Sequence, residues 1–457
     1  MILPIDIDIF PQKEGVFIVG GSIRDIICGR KPFDYDLAVQ TDTAVFAASL
    51  AARISGRIVE LGKNEQILRR VVTKDNFFDI LPVNGDSIEE DLRQRDFTIN
   101  AMAVEVSSGN LIDPLGGHRD IAAKKIRMVT GSVFRKDPVR LIRAYRMAAA
   151  FHFSMDAATQ TAIARDANLI RNSAGERIRE ELFKILQSAG SHSYLSQMAR
   201  SGLLFSIFPE LINVKNHRLP ADAPGSLFDQ TLDSYEYLER LLDPEDQTMR
   251  RLRGRLFPDS DKSRSGLLKL ALLFHDIGQP ATQTTAPEER THDLRRHASV
   301  SATMAGDISR RLRFSVYQTG TIDFILRNHY RPFLLFRAWQ KNVAIQKMFV
   351  RFFMKCGDFT PHLLMHALAE FRGKKVSDDP VTQEFTEFIL KLIGEYSSVL
   401  LPKASLPRPL NGHDLINEFG LKPSALFKRI LKRVEAEHLL RPTFTREQAI
   451  KLVQKLL

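Results

Sequence analysis

The chain has 457 residues, enough for about two to four modules, with 44% hydrophobic and 26% charged residues, the balance of an ordinary globular protein. Lys and Arg outnumber Asp and Glu by 65 to 54, and the net charge of +11 favours an anionic partner, because basic side chains release counterions from a phosphate backbone. Two cysteines, Cys28 and Cys356, exclude a disulfide framework; no apolar run approaches the ~18 residues of a membrane span; and MILPIDIDIF lacks a basic leader region, so a cytoplasmic protein is expected. In chain order, VFIVGG (16–21) is a short apolar run ending in glycines and predicts a strand and a tight turn. SIRDIICG (22–29) reads as a helix closed by Gly29, and DYDLAV (34–39) and FFDILPV (77–83) read as strands. INAMAVEV (99–106), followed by SSGN and LIDP, predicts a hairpin.

From residue 137 the pattern turns helical, with three- and four-residue apolar spacing in VRLIRAYRMAAAF (139–151), ERIREELFKIL (176–186) and SYLSQMARSGLL (193–204). HRLPADAPGSL (217–227) and LPKASLPRPLNG (401–412) are the expected linkers. The expected class is α+β: a mixed-sheet head over 1–136, a helical neck over 137–216, a helical domain over 217–400 and a helical tail over 401–457.

The chemistry begins at the glycine turn. Gly20 and Gly21 let backbone approach a ligand closely, and the helix that follows offers free N–H groups to an anion. Asp34 and Asp36 are two apart in a strand and therefore share a face, an arrangement suited to a hard divalent cation. Asp6 and Asp8 have the same spacing but no glycine turn before them. Asp79, inside an apolar strand, is the expected third acid, since a carboxylate there needs a partner or a metal.

These residues resemble a known family. GGSIRDIICGRKPFDYDLAV (20–39) is similar to the glycine-loop and Asp-x-Asp signature of polymerase-β-like nucleotidyltransferases. DLRQRDFTINAMA (91–103), LIDPLGGHRDI (111–121), DPVRLIRAYRMA (137–148) and ERIREELFKIL continue the motif order of bacterial class II tRNA nucleotidyltransferases and poly(A) polymerases. The resemblance implies RNA 3′-end nucleotide addition, CCA addition to tRNA above all, from CTP and ATP. It leaves open a poly(A) polymerase, a CC-only or A-only enzyme, or an HD-type phosphohydrolase. It implies two Mg²⁺ ions held by Asp34 and Asp36, with Asp79 near the primer hydroxyl. Gly20, Gly21 and Ser22 would hold the triphosphate, Arg24 and Arg95 would contact phosphates, and Asp96 and Asn100 would lie near the sugar or support the site. Arg143 and Arg146 belong to the same nucleotide-binding set.

Asp137 and Arg140 match the family's base-reading pair. Cytosine and adenine each present an amino donor beside a ring-nitrogen acceptor, which a carboxylate and a guanidinium complement. Asp137 before Pro138 also reads as a helix N-cap, and Lys136 stands where the family usually has an acid.

Further along, FHDIGQPAT (274–282) resembles an HD-type helical domain, and LNGHDLINEFGLKPSALFKRIL (410–431) the tail of long bacterial members. His275, Asp276, His297 and His329 are offered as a second divalent-metal site. Gln230 stands where a further His is usual and Glu370 where Asp is usual, so a structural or RNA-contacting domain with little hydrolase activity is expected. The basic stretches MRRLRGRLF (249–257) and RNHYRPFLLFRAWQK (327–341) are expected either to follow RNA phosphates or to form solvated helix faces.

Overall fold

The computed structural model describes residues 3–62, 67–219, 225–242, 262–282, 290–341, 345–374, 379–404, 406–441 and 443–457. The stretch 249–257 and part of the 217–227 linker lie outside them. The chain divides into two compact units, residues 1–188 with 193–207, and residues 189–192 with 208–457. The expected boundary at 136/137 falls inside the first unit and that at 400/401 inside the second.

The first unit is built on a seven-stranded sheet of β1 (Val16–Val19), β2 (Asp34–Val39), β3 (Arg57–Leu61), β4 (Leu68–Val72), β5 (Phe77–Pro82), β6 (Ala103–Glu105) and β7 (Leu111–Ile112). Their order is β3-β4-β5-β2-β1-β6-β7, with β2 and β5 parallel and the other neighbours antiparallel. β1 is buried at all four residues and β2 from Leu37 onward, so the sheet's centre is apolar while the N-terminal end of β2 opens outward. The expected hairpin is shorter than its sequence pattern: Thr98–Asn100 forms a 3₁₀ turn and only Ala103 and Val104 pair with β7. The turn is held because Asn100 and Thr98 side chains bond to Asp96 and Asp120 rather than leaving the backbone to the sheet.

Helices α1 (Gly21–Ile27), α2 (Thr43–Arg53), α3 (Ile88–Arg93), α4 (Gly117–Ala122), α5 (Val133–Lys136), α6 (Arg140–Phe151), α7 (Ala157–Asp166) and α8 (Gly175–Leu186) follow the chain. Side chains cap several of them: Asp42 accepts from Ala44 and Val45 N–H, Ser87 from Glu90 N–H and Asp156 from Thr159 N–H. α6 matters most. Leu141, Ile142, Ala144, Tyr145, Met147, Ala148 and Ala149 are buried, which leaves Arg140, Arg143 and Arg146 along another face at three-residue spacing.

The second unit is helical. The helices Leu227–Leu242, Lys262–Phe274, Arg290–Arg311, Val316–Asn328, Arg331–Gln340, Gln346–Cys356, Thr360–Gly373 and Pro380–Glu395 precede a tail of Gly412–Phe419, Ala425–Leu440 and Arg446–Gln454. The tail has its own core of Leu410, Leu415, Ile430, Val434, Ala449 and Val453. The Pro-rich stretch after residue 400 starts helical, over Leu401–Ala404. Among the described residues no helix is long and apolar enough to cross a membrane.

Candidate active site

The strand ends of the first unit face a cleft of about 850 Å³ lined by Gly20, Gly21 and Ser22, the acids Asp34, Asp36 and Asp79, Arg95, Asp96 and Asn100, and the arginines of α6. Gly20 follows β1 with φ 69° and ψ −128°, backbone that L side chains rarely adopt. A Cβ there would lie 2.6 Å from Arg95 Nη1 and 3.4 Å from Asp36 Oδ2. Gly20→Ala is therefore expected to lower turnover at this cleft at least about tenfold by displacing the Arg95 guanidinium from the glycine turn, on top of ~1–2 kcal/mol of backbone strain. Steady-state kinetics and a urea melt of the variant check the two effects separately.

The turn is tied to the acids by one side chain. The buried Ser22 hydroxyl donates to the Asp34 carbonyl at 3.0 Å and accepts from the Asp36 N–H at 3.0 Å. α1 has no side-chain cap, so its first-turn N–H groups are left for a ligand beside those acids.

Asp34 and Asp36 lie on one strand, and the parallel register sets Asp36 opposite Asp79. Neither the Asp34 nor the Asp36 carboxylate has a hydrogen bond or salt bridge among the described residues. Burial pushes Asp36 up to about 6; Arg95 opposes this, and the neighbouring charges of Asp79 and Asp34 add to it. Asp79 is committed: Arg70 grips it bidentately, Nε–Oδ1 2.6 Å and Nη2–Oδ2 2.7 Å. Two unpartnered same-face acids fit a divalent cation, which takes one or two protein carboxylates and completes its shell with phosphate oxygens and water.

A connected set of polar groups also lines the cleft. Arg24 Nη1 donates to Asn100 Oδ1 at 2.6 Å, and Asn100 Nδ2 donates to Asp96 Oδ1 at 2.9 Å. Arg143 reaches Asp96 Oδ2 at 3.4 Å and Glu181 Oε1 at 3.5 Å, and Arg146 Nε donates to Glu181 Oε2 at 2.5 Å. Burial pulls the Arg146 guanidinium down against the pull of Glu181, whereas Asp96 and Glu181 together hold Arg143 up despite its burial. Arg24 is also engaged by Asp25 and lies over the Phe151 ring, so much of its donor capacity is already used. Arg95 is likewise fixed by Asp91 at 2.9 Å.

Asp137 divides its two oxygens. Oδ1 accepts from the Val139 N–H at 3.3 Å, the cap, while Oδ2 pairs with Arg177 Nη2 at 2.7 Å and Arg140 Nε at 3.8 Å. Burial pushes this carboxyl up, but Arg177 outweighs it and holds the group below its ordinary value. Arg140 lines the cleft and Asp137 stands behind it. Participants that went unmarked in the sequence reading include Arg70, Arg177, Glu181 and Lys184, the last two lining the cleft. Arg177, Glu181 and Lys184 lie in ERIREELFKIL, where apolar spacing announced the helix but not what its charges meet.

The second unit brings His275, Asp276, His297 and His329 together. His275 Nε2 is 2.9 Å from Asp276 Oδ2, His297 Nε2 is 3.7 Å from Asp276 Oδ1, and the Nε2 atoms of His297 and His329 are 3.2 Å apart. Two further residues complete the cluster, His366 and Glu370, with His366 Nδ1 3.6 Å from Glu370 Oε2. Burial pushes His329 down to about 4. Arg331–Gln340, within the basic stretch 327–341, buries Phe336 and stacks Trp339 upon it, as an amphipathic helix does.

Three family models match in order: the poly A polymerase head domain over 16–127, the probable RNA- and SrmB-binding site of polymerase A over 152–214, and the HD domain over 235–342. A CC-adding tRNA nucleotidyltransferase of Geobacter sulfurreducens is 36% identical over 269 residues, spanning 58% of this chain and 60% of that protein. An A-adding tRNA nucleotidyltransferase of Deinococcus radiodurans is 27% identical, spanning 97% of this chain and 96% of that protein. A Thermotoga maritima CCA-adding enzyme complexed with tRNA shares the fold, with a TM-score of 0.62 at 19% identity over 97% of this chain and 91% of that one. Head, RNA-binding and HD segments thus follow one another along the chain, which is similar over nearly its whole length to tRNA nucleotidyltransferases.

Proposed function

We propose that the protein adds C and A residues from CTP and ATP to the 3′ end of tRNA without a template, releasing pyrophosphate. The observation that carries this reading is the pair Asp34 and Asp36, unpartnered on one strand face beside a glycine turn and facing an arginine wall. Asp34 and Asp36 would hold Mg²⁺, which supplies Lewis-acid polarisation of the phosphates and stabilises the attacking and leaving oxygens. The bond formed joins the RNA O3′ to the α-phosphorus, and the bond broken is that from the α-phosphorus to the oxygen bridging to the β-phosphate. Gly20, Gly21 and Ser22 would seat the triphosphate by backbone N–H groups. Arg143 and Arg146 would add positive charge without the cost of reorganising, because Asp96 and Glu181 already fix them.

Base choice would fall to Arg140 with Asp137. Asp137→Ala should lose tenfold to a hundredfold of the preference for CTP and ATP over UTP and GTP, about 1–3 kcal/mol for a bidentate contact. Arg177→Ala should lose part of the same preference, since it removes the 2.7 Å pair that aims the carboxylate. Retention of wild-type preference by folded Asp137→Ala would reduce this residue to a helix cap.

The relatives' names include CC-adding, A-adding and CCA-adding enzymes. The deciding experiment therefore offers tRNA ending at the discriminator base, in CC and in CCA, with oligo(A) beside them and each NTP alone, and sequences the products. Addition confined to incomplete tRNA ends supports the proposal, and long A tracts on oligo(A) would make the protein a poly(A) polymerase.

A further inference from the structure

The HD cluster contains a residue that no motif marks. Lys374 follows the helix Thr360–Gly373, and its Nζ lies 2.8 Å from Glu370 Oε1 and 3.2 Å from Asp276 Oδ2. We propose that this ammonium is the resident cation of the cluster, locking a latent divalent-metal site that the wild-type domain leaves metal-free.

The donor set fits this reading better than it fits a metal. Asp276 and Glu370 are the two carboxylates of the cluster, and one ammonium already bridges them. A divalent ion binding both would stand close to that charge, at a cost from like-charge repulsion in a buried site. The imidazoles are also turned to each other: His297 and His329 meet at Nε2, so one of these nitrogens carries a proton and offers no lone pair. Among the described residues no three His, Cys, Asp or Glu side chains are positioned to hold a metal ion. Gln230, on the helix Leu227–Leu242, contributes no imidazole.

The site is nonetheless latent rather than erased. His275 Nε2, both Asp276 oxygens, Glu370 Oε2 and both His366 nitrogens are buried without a well-aligned hydrogen bond. One ammonium offsets half of the charge of the two carboxylates and has only three protons for all these atoms. With the ammonium gone, these side chains would turn inward to take a divalent ion with the same oxygens and nitrogens. The position of Lys374 is built in by packing. A Cβ on Gly373 would lie 2.3 Å from the Ser234 backbone N, so only glycine lets the two helices touch directly beside the lysine.

The test is equilibrium dialysis of chelator-treated full-length protein against Ni²⁺, an ion that favours imidazole ligands. Wild type and Lys374→Arg serve as charged references for Lys374→Met, which keeps the stem and removes the charge. The expected result is one additional Ni²⁺ per chain in Lys374→Met alone, accompanied by a rise in its melting temperature, and loss of that ion in Lys374→Met with His366→Ala. Nucleotide addition should be the same in wild type and Lys374→Met. Wild type that binds a Ni²⁺ lost on His275→Ala would overturn the proposal, and so would a folded Lys374→Met that binds none. Should Lys374→Met fail to fold without metal, refolding with and without Ni²⁺ gives the same answer: recovery only with the ion supports the lock, and no recovery refutes the latent site.

Discussion

Asp36→Asn is expected to abolish nucleotide addition, by about a thousandfold or more, and at the same time to stabilise the metal-free first unit at neutral pH. The loss follows from removing one of the two proposed metal ligands, worth several kcal/mol of transition-state charge stabilisation. The gain follows from linkage. A carboxyl raised from 3.8 to about 6 is held protonated by the folded state, so its favourable contribution is present below pH 3.8 and is lost as pH rises through about 6. Above that pH the ionised Asp36 opposes folding by on the order of 2–3 kcal/mol, and a neutral amide removes this cost. Urea melts in chelator should show the variant more stable than wild type at neutral pH, with the difference vanishing near pH 4. Mg²⁺ should narrow the gap by stabilising only the wild type. Equal stability at both pH values would show that Asp36 is not crowded in the way its neighbours suggest.

Glu181→Ala is expected to be the most destabilising single change in the cleft, costing about 3–5 kcal/mol. Glu181 is buried and serves two cations, Arg143 and Arg146, so truncating it strands charge in a desolvated wall. Arg143 keeps Asp96, but Arg146 has no second carboxylate partner among the described residues. Pairing the change with its partner separates stability from function. Arg146→Met with Glu181→Leu fills the space with apolar side chains and should regain most of the stability, while the Michaelis constant for the nucleotide stays raised. A double variant as unstable as Glu181→Ala would mean that shape, rather than unpaired charge, sets the cost.

The acid pair was legible because strand geometry leaves no choice: residues two apart share a face, as Asp34 and Asp36 do on β2. The order of the motifs then carried the fold of the head. Arg70 was not legible, since the β3–β4 hairpin that brings it to Asp79 mixes charged and β-branched residues without clean alternation. Asp137 left two readings standing because an Asp before Pro satisfies both, and its two oxygens in fact go to different partners. In the HD cluster the adjacent His275 and Asp276 were plain, but Lys374 was not. Four-residue spacing predicts its pair with Glu370, whereas nothing in the spacing points to Asp276, almost a hundred residues earlier.

The polar wall from Arg24 through Asn100, Asp96 and Arg143 to Glu181 joins segments far apart along the chain. On a ribosome, at about 5–20 residues per second, roughly 10–40 seconds separate the first residue from Glu181. During that interval β2 can already be paired with β1 as far as Asp36, while the carboxylate that restrains Arg143 and Arg146 has yet to be made. The pocket thus closes late in the synthesis of its own unit, through contacts of long sequence separation that form slowly. Every residue of that wall nevertheless precedes Phe208 and lies within the first compact unit.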